Sequence, residues 1–211
     1  FTERPGEDGA GGWSGRLDLL GPDGTALAYL GWPDAHALEA TDVDKPVIAA
    51  LNGAAAGVGL ALAMFADLRF AVPGAVFTTA HGKLNFPAEY GLSWLLPRMI
   101  GLTRANELLL SSRRFSSEEA LSLGLINGLF EADALIDSVQ AYAEQLIAQN
   151  APDALRVTKH QIYRDLHRDV ATSVHYSEQQ LARMSRTPDF KEGVAAFMEK
   201  RPPQWQGMDH E

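Results

Sequence analysis

The chain has 211 residues, of which 46% are hydrophobic and 21% are charged, and its formal net charge at pH 7 is −9. This length suffices for one sizeable domain with a buried core, and the composition is that of an ordinary globular protein rather than a disordered one. The acidic balance argues against general nucleic-acid binding, and the absence of cysteine excludes disulfides, thiolate catalysis and Cys-ligated zinc.

The first 45 residues differ in composition from the rest of the chain. They are rich in Gly, Pro and Asp and contain only two short apolar patches, Leu17 to Leu20 and Ala26 to Leu30. This composition predicts mobile loop with some helix. Because it is not typical of the start of a domain, we interpret residues 1–45 as an incomplete, loop-rich N-terminal segment and expect that further residues precede it.

A strand, a helix and two strands are predicted next. The compact apolar run at 47–51 is typical of a strand buried on both faces, as in a parallel sheet. Residues 57–66 predict an apolar helix, and strands are predicted at 68–72 and 76–78. Because a strand, a helix and a strand within about 30 residues form a βαβ crossover, we predict an α/β core over 46–140.

Helix dominates from residue 92 onward. Apolar spacing predicts helices in "LSWLLPRMIG" and "TRANELLLSS", and "FSSEEALSLG" contains a capping box in which Ser116 caps and Glu119 is the third helical residue. A short strand is predicted in "GLINGLFE". Amphipathic helices are predicted at 133–149, 152–185 and 188–200, so 141–211 is interpreted as a C-terminal helical region.

The stretch "AAAGVGLAL" contains no side chain that can donate or accept a proton. Gly57-Val58-Gly59 nevertheless lies at a predicted junction of strand and helix, where the first N–H groups of a helix stabilise an anion without any side chain. A dinucleotide-binding fingerprint fits poorly, because its third Gly would fall at Leu62. The remaining alternative is that small residues here only let the helix and the sheet approach closely.

Two side chains nearby could transfer a proton. Glu89 has the apolar neighbours Phe86, Pro87 and Trp94, and desolvation by such neighbours raises the pKa of a carboxylate toward neutrality, which suits a general acid or base. The alternative is an exposed Glu in a loop. His81 could also act in catalysis. It has no second His four residues later and no nearby pair of acids, so we predict no metal site.

Other charged residues fit a structural interpretation. The residues His160, His167 and His175 recur at roughly helical intervals in one predicted helix, which is typical of surface positions. Cationic clusters occur at Arg113-Arg114 and at Lys191 with Lys200-Arg201. Each could hold a phosphate, but charges at helix ends are usually solvated.

Four segments in order resemble the enoyl-CoA hydratase/isomerase superfamily, also called the crotonases. They are "DKPVIAALNGAAAGVGLALAMFADLRFAVPGAVFTT", "LSWLLPRMIG", "FSSEEALSLGLINGLF" and "FKEGVAAFMEKRPPQW". The resemblance runs from about Lys45 to Trp205. It implies a crotonase-like α/β fold, in which a spiral β/α core of parallel-stranded turns precedes a helical oligomerisation region that assembles trimers or dimers of trimers.

The resemblance also implies a mechanism. Family members act on acyl-CoA thioesters, with coenzyme A as part of the substrate and no other cofactor, through an oxyanion hole of two backbone N–H groups that stabilises an enolate. The second donor maps to the N–H of Val58, beside the substrate-binding residues Ala56, Gly57 and Gly59. Nothing in residues 1–45 reproduces the loop that supplies the first donor.

The family's acids map onto this chain with two differences. Hydratases carry one catalytic Glu at the position of Ala61 and another at the position of His81, so the two-carboxylate machinery for adding water is absent. Glu89 instead matches the single acid of isomerase-type members, and His81 could assist it. Trp94, Phe197 and Lys200 complete the candidate substrate contacts. The last two match residues that contact coenzyme A from a neighbouring subunit.

An isomerase-type reaction with one acid is therefore favoured. The alternatives are hydration of 2-enoyl-CoA and a catalytically impaired subunit that binds coenzyme A or serves assembly. Besides the thioester and further copies of the chain, we expect no nucleic-acid or membrane partner. No apolar run reaches the roughly 20 residues of a membrane span and no signal-peptide core is evident, so a cytoplasmic location is expected.

Overall fold

The computed structural model describes residues 18–20 and 26–29 by their backbone, and residues 43–88 and 90–206 in full. Glu89 therefore lies outside the described residues. The chain divides into two compact units. Unit 1 contains Val47–Gln140, and unit 2 contains Thr41–Pro46 and Ala141–Glu211.

The strands in the described residues all belong to unit 1, which also includes Phe1–Ala40. They are β1 (Asp18–Leu20), β2 (Ala26–Tyr29), β3 (Ile48–Leu51), β4 (Ala55–Ala56), β5 (Leu68–Ala71), β6 (Val76–Thr78), β7 (Phe115–Ser116) and β8 (Gly128–Leu129). β1 and β2 pair antiparallel, β5 lies parallel to both β3 and β8, and β6 lies parallel to β4 and antiparallel to β7. The prediction of loop with some helix was wrong for the two apolar patches before residue 31, because they pair as β1 and β2.

Helices make up much of the rest of the described part of unit 1. They are α1 (Val58–Phe65), a 3₁₀ helix (His81–Leu84), α2 (Leu92–Ile100), α3 (Leu102–Ser111), α4 (Ser117–Leu123) and α5 (Leu135–Gln149), which continues into unit 2. The N-terminus of α4 confirms the predicted cap, since the Ser116 hydroxyl accepts the N–H of Glu119 at 3.2 Å. Mixed helices and largely parallel strands confirm the predicted α/β class.

The predicted crossover is formed by β3, α1 and β5. β3 and β5 run parallel with Ile48 opposite Leu68, and the Asp67 carboxylate accepts the N–H of Val47 at 2.6 Å where the two strands begin. The expectation that β3 is buried on both faces was wrong, because its four residues are only partly buried. Within the described residues β3 lies at the edge of its sheet, so only one side of it pairs.

The core of unit 1 lies between α1, the strands and the helices α2 to α4. Its largest fully buried side chain is Phe77 of β6, whose ring meets that of Phe115 edge-on with centroids 5.8 Å apart. Leu60 and Met64 of α1 and Leu96 of α2 pack in the same cluster. This packing fixes α1 against the sheet and therefore fixes the direction in which its N-terminus points.

Unit 2 contains three further helices, α6 (Pro152–Asp165), α7 (Val170–Met184) and α8 (Pro188–Glu199). The prediction of one helix over 152–185 was wrong. The chain turns between α6 and α7, and the Asp169 carboxylate accepts the N–H of Thr172 at 3.0 Å as the N-cap of α7. His160, His167 and His175 consequently do not share a helix.

The segment after α8 folds back onto that helix. The Arg201 guanidinium donates to both oxygens of Glu192 at 2.6 and 2.9 Å, and the backbone N–H of Gln204 donates to the same carboxylate at 2.7 Å. The Trp205 ring lies against Gly193, where a Cβ would be 3.4 Å from the indole. Across the described residues, every helix is too short or too polar to cross a membrane.

Candidate functional site

The candidate site lies where β4 and β6 end. These strands are parallel, with Ala55 opposite Phe77 and Ala56 opposite Thr78, so their carboxyl ends meet at one edge of the sheet. β4 leads directly into α1 through Gly57, and β6 leads into the 3₁₀ helix that begins at His81. The strand pairing therefore brings the segments that carry Val58 and His81 to the same edge.

Gly57 makes the turn from β4 into α1. Its φ of 51° and ψ of −120° are open to Gly and strained for a residue with a Cβ. The Gly57 N–H donates to the carbonyl oxygen of Thr78 at 3.1 Å, and its carbonyl accepts the N–H of Ala61 at 3.0 Å. Gly57 thus connects the edge of the sheet to the first turn of α1.

Val58 is the first residue of α1. The first hydrogen bond within this helix is donated by Ala61, so the three N–H groups of residues 58–60 have no acceptor within the helix. No side chain among the described residues caps this helix, and its first turn contains no acid. Val58 and Gly59 are partly buried. Such N–H groups lie in the positive field of the helix dipole, so this end of α1 can bind an oxygen atom that acquires negative charge.

Ala61 and His81 occupy the two positions where the resemblance would have placed acids. Ala61 is completely buried in the core of unit 1, and its methyl group has no ionisable atom with which to transfer a proton. The His81 side chain is 7% exposed, and its Nδ1 atom is buried without a hydrogen-bond partner among the described residues. Buried polar atoms usually have a partner, so this ring nitrogen is a candidate for binding a ligand.

Glu89 itself lies outside the described residues, and its role stays a prediction. The described residues resume at Tyr90, and Gly91, which has a φ of 75°, serves as the N-cap of α2. A Cβ at Gly91 would lie 3.0 Å from Cζ of Phe65, the last residue of α1. The positive φ and this close contact both favour Gly at position 91, so the N-terminus of α2 packs closely against the end of α1.

The other predicted substrate contacts are divided between the units. Trp94 of α2 is partly buried, and the Arg98 guanidinium covers its ring at 4.2 Å from the centroid. Phe86 is 55% exposed, so within the described residues it does not enclose the loop. In unit 2, Phe197 is 83% exposed on α8, and Lys200 is the C-cap of that helix with a φ of 53°.

Unit 2 contains a groove with a volume of about 930 Å³ that was not predicted from the sequence. Its apolar lining comes mainly from α8 and the segment around it: Met184, Phe190, Val194, Phe197, Met198 and Trp205. The spacing of residues 190, 194, 197 and 198 is the helical pattern of one apolar face, and it could have indicated this surface from the sequence.

Two of the cations considered for phosphate binding are already paired with acids. Arg113 binds Glu107 at 2.6 Å and also binds Glu119, and hydrogen bonds from Arg113 are the main cause that lowers the pKa of both carboxylates. Arg201 is likewise paired with Glu192. No group of three potential metal ligands occurs in the part of the chain that the structure describes.

This fold and the uncapped helix at its sheet edge are those of a crotonase-like α/β protein. A family model described as "Enoyl-CoA hydratase/isomerase" matches residues 31–208. The chain therefore belongs to the enoyl-CoA hydratase/isomerase family. The solved structure of an enoyl-CoA hydratase from Bacillus anthracis is similar, with a TM-score of 0.78 and 34% identity, covering 82% of this chain and 67% of that chain.

Curated relatives in this family include two enzymes of different name. The chain is 32% identical over 159 residues to a short-chain-enoyl-CoA hydratase of Clostridium acetobutylicum. This alignment covers 75% of the chain and 60% of the relative. The chain is also 36% identical over 179 residues to a carnitinyl-CoA dehydratase of Salmonella paratyphi A. That alignment covers 80% of the chain and 66% of the relative. The chain thus spans less than two thirds of the length of either relative.

Proposed function

We propose that the protein acts on acyl-CoA thioesters through an enolate held in an oxyanion hole, with the Val58 N–H as one donor. The observation that carries this proposal is the uncapped N-terminus of α1, which follows directly after Gly57 at the carboxyl ends of β4 and β6. A donor of this kind typically lowers the reaction barrier by about 3–4 kcal/mol. The names of both curated relatives support a substrate of the acyl-CoA class.

Migration of a double bond from 3-enoyl-CoA to 2-enoyl-CoA is the reaction that these residues favour. The Glu89 carboxylate takes a proton from C2, and the electrons of that C–H bond move into the thioester carbonyl to form a dienolate, whose oxygen the Val58 N–H stabilises. Glu89 then returns the proton to C4. One carboxylate suffices for this sequence, whereas addition of water normally requires two, and Ala61 and His81 supply no carboxylate.

The test supplies 3-enoyl-CoA and 2-enoyl-CoA to the protein and follows the products by chromatography. We expect conversion of 3-enoyl-CoA, and a decrease in kcat of at least about 10²-fold in Glu89→Gln, because that variant cannot accept the proton. Glu131→Gln, a change at an exposed Glu of unit 1, serves as the matched control with unchanged kcat. Absence of turnover of both substrates would refute the proposed reaction, and full activity of Glu89→Gln would refute the role of Glu89.

A second candidate is a subunit that binds coenzyme A thioesters without turning them over. The composition of α1 favours it, because Ala61 and the other residues of this helix supply no proton-transferring group beside the oxyanion position. The two candidates differ in exchange of the α-proton of a bound acyl-CoA in deuterated water. Tight binding without exchange would identify the non-catalytic subunit, while exchange that depends on Glu89 would identify the enzyme.

We also propose that the protein assembles as a homotrimer or a dimer of trimers through unit 2. Large apolar side chains are exposed along its helices, including Leu181 at 66%, Phe197 at 83% and Met198 at 75%. Faces of this kind are typical of interaction surfaces. Light scattering after size-exclusion chromatography gives the mass directly, and a monomer at micromolar concentration would contradict the proposal.

The cytoplasmic location stays a prediction from the sequence.

A further inference from the structure

The turn that carries His81 is held in place by a serine at the end of α3. Ser112 is the C-cap of that helix, is 1% exposed, and adopts a left-handed conformation with a φ of 44°. A residue with a Cβ is strained in this region and Gly is not. The contacts of the Ser112 side chain offset that strain.

Both oxygens of Ser112 bind the segment between β6 and the 3₁₀ helix. The Ser112 hydroxyl accepts the N–H of Gly82 at 3.0 Å, and the Thr79 hydroxyl lies 3.3 Å from it. The Ser112 carbonyl accepts the Thr78 hydroxyl at 3.0 Å, and that hydroxyl in turn accepts the N–H of Ala80 at 3.1 Å. Thr78, Thr79, Ala80 and Gly82 are therefore bonded within this network, and the His81 backbone N–H donates to the Thr79 carbonyl at 2.7 Å.

The same network reaches the N-terminus of α1. The Thr78 carbonyl accepts the N–H of Gly57, the residue directly before Val58. Ser112, the C-cap of α3, thus restrains the His81 turn through its hydroxyl. Its carbonyl binds Thr78, whose own carbonyl binds the N–H of Gly57, the residue before Val58. The His81 Nδ1 atom remains without a partner among the described residues, so the network fixes the backbone around the imidazole and not the imidazole itself.

The Ser112 side chain also leaves no room for a side chain at position 82. A Cβ at Gly82 would lie 2.8 Å from the Ser112 Oγ atom and 3.6 Å from its Cβ atom. The first distance is shorter than real contacts of a Cβ. An alanine at position 82 would therefore displace either the Ser112 hydroxyl or the 3₁₀ helix.

We propose that Ser112 is a positioning residue, which holds the His81 turn and the Gly57 amide in their relative places at the carboxyl ends of β4 and β6. It acts through Gly82 and Thr78 and has no place at the reacting atoms. The catalytic consequence of this inference rests on the proposed function, but the positioning itself is measurable without turnover.

The first experiment compares Ser112→Gly with Ser111→Ala. Ser112→Gly removes the hydroxyl and suits the left-handed backbone, so the protein should keep its melting temperature. Amide hydrogen exchange at Gly82 should nevertheless rise about tenfold, since its acceptor is gone, and kcat should fall about tenfold with little change in KM. Ser111→Ala removes an exposed hydroxyl one residue earlier, which accepts the N–H of Arg113 at 3.2 Å and has no bond to residues 78–82, so it should leave amide exchange at Gly82 and kcat unchanged.

The second experiment tests the pairing of Gly82 with Ser112. Gly82→Ala alone should lower the melting temperature and kcat, because the new methyl overlaps the Ser112 hydroxyl. The double variant with Ser112→Gly removes that hydroxyl, so its melting temperature should recover, while amide exchange at position 82 stays as fast as in Ser112→Gly. Additive effects of the two substitutions would contradict the pairing.

The outcomes separate the inference from the function on which it rests. Absence of turnover in the unchanged protein would count against the proposed function, while amide exchange at Gly82, whose acceptor is the Ser112 hydroxyl, would still test the positioning. Exchange rates and kcat of Ser112→Gly equal to those of Ser111→Ala would overturn the inference. A fall in kcat that follows only the melting temperature would overturn it as well, since that pattern indicates a purely structural role.

Discussion

Units 1 and 2 use their apolar side chains in different ways. Unit 1 contains all 20 residues of the buried core cluster, with Phe77, Leu60 and Leu96 among its members. Among the described residues, those buried in unit 2 are Val157, Lys159 and Ala196, and 11 of the 18 large apolar side chains that are exposed belong to this unit. Unit 1 is therefore held by burial within itself, and unit 2 is not.

Local polar contacts have a larger share in unit 2. Its helices begin at N-caps such as Asp169 and Thr187, and Asp153 pairs with both Arg156 and Arg183 at 2.6 and 2.8 Å. A cap contributes about 1 kcal/mol, and an exposed ion pair contributes about 1 kcal/mol or less. Unit 2 should accordingly respond weakly to loss of an apolar side chain and more clearly to loss of a cap.

The largest expected effect on the free energy of unfolding comes from replacing a Phe by Ala in unit 1, compared with the same replacement in unit 2. Phe77→Ala leaves a cavity in the core of unit 1 and should lower the free energy of unfolding by about 3–5 kcal/mol. Phe197→Ala removes a side chain that is 83% exposed and should change it by less than about 0.5 kcal/mol in the monomer. Urea unfolding followed by circular dichroism measures both, and equal losses would contradict the contrast between the units.

A backbone substitution at the candidate site should have the next largest effect. Gly57→Ala places a Cβ on a residue with a φ of 51° and should lower the free energy of unfolding by about 1–3 kcal/mol. Gly53→Ala is the control, because a Cβ there meets nothing within 4 Å. Thermal unfolding compares the two variants. Equal melting temperatures would mean that the turn before Val58 adapts without strain.

The sequence predicted the elements of unit 1 that depend on local patterns. The crossover from β3 through α1 to β5 followed from apolar runs, and the Ser116 cap followed from one side chain and its spacing to Glu119. β4 and β7 were not predicted, because both form by pairing with β6, and β7 lies almost 40 positions after β6 in the sequence. The break at Asp169 was missed because the apolar spacing continues across it.

The candidate site was likewise predictable only where it depends on local sequence. The position of Val58 at a junction of strand and helix was evident from small residues between two recognisable elements, and the structure has this junction. The burial of His81 and its bracing by Ser112 depend on contacts between residues about 30 positions apart, which no local spacing records. Glu89 retains the role that the sequence suggests, untested by the described residues.

A smaller effect is expected from removing a cap in unit 2. The Thr187 hydroxyl accepts the N–H of Phe190 at 3.3 Å at the start of α8. Thr187→Ala should lower the free energy of unfolding by about 1 kcal/mol, while Thr187→Ser retains the hydroxyl and should change it little. Urea unfolding distinguishes them. If both variants match the unchanged protein, the cap is not a main support of α8.

The smallest expected effect is the pH dependence of the contact between α8 and the segment after it. Hydrogen bonds from the Arg201 guanidinium and then from the Gln204 N–H lower the pKa of Glu192 from 4.5 to about 2. The folded state therefore binds the proton less tightly than the unfolded state. The stabilisation is complete above pH 4.5 and is lost as the pH falls toward 2.

Glu192→Gln removes this titration and retains the shape of the side chain. The melting temperature of the unchanged protein should fall more steeply between pH 4.5 and pH 2 than that of the variant, and the two slopes should agree above pH 5, where Glu192 is ionised in both states. Because Glu192 and Arg201 are partly exposed, 0.5 M salt should reduce the difference through screening. Equal slopes below pH 4.5 would show that the segment after α8 is held by the contact of Trp205 with Gly193 rather than by the ion pair.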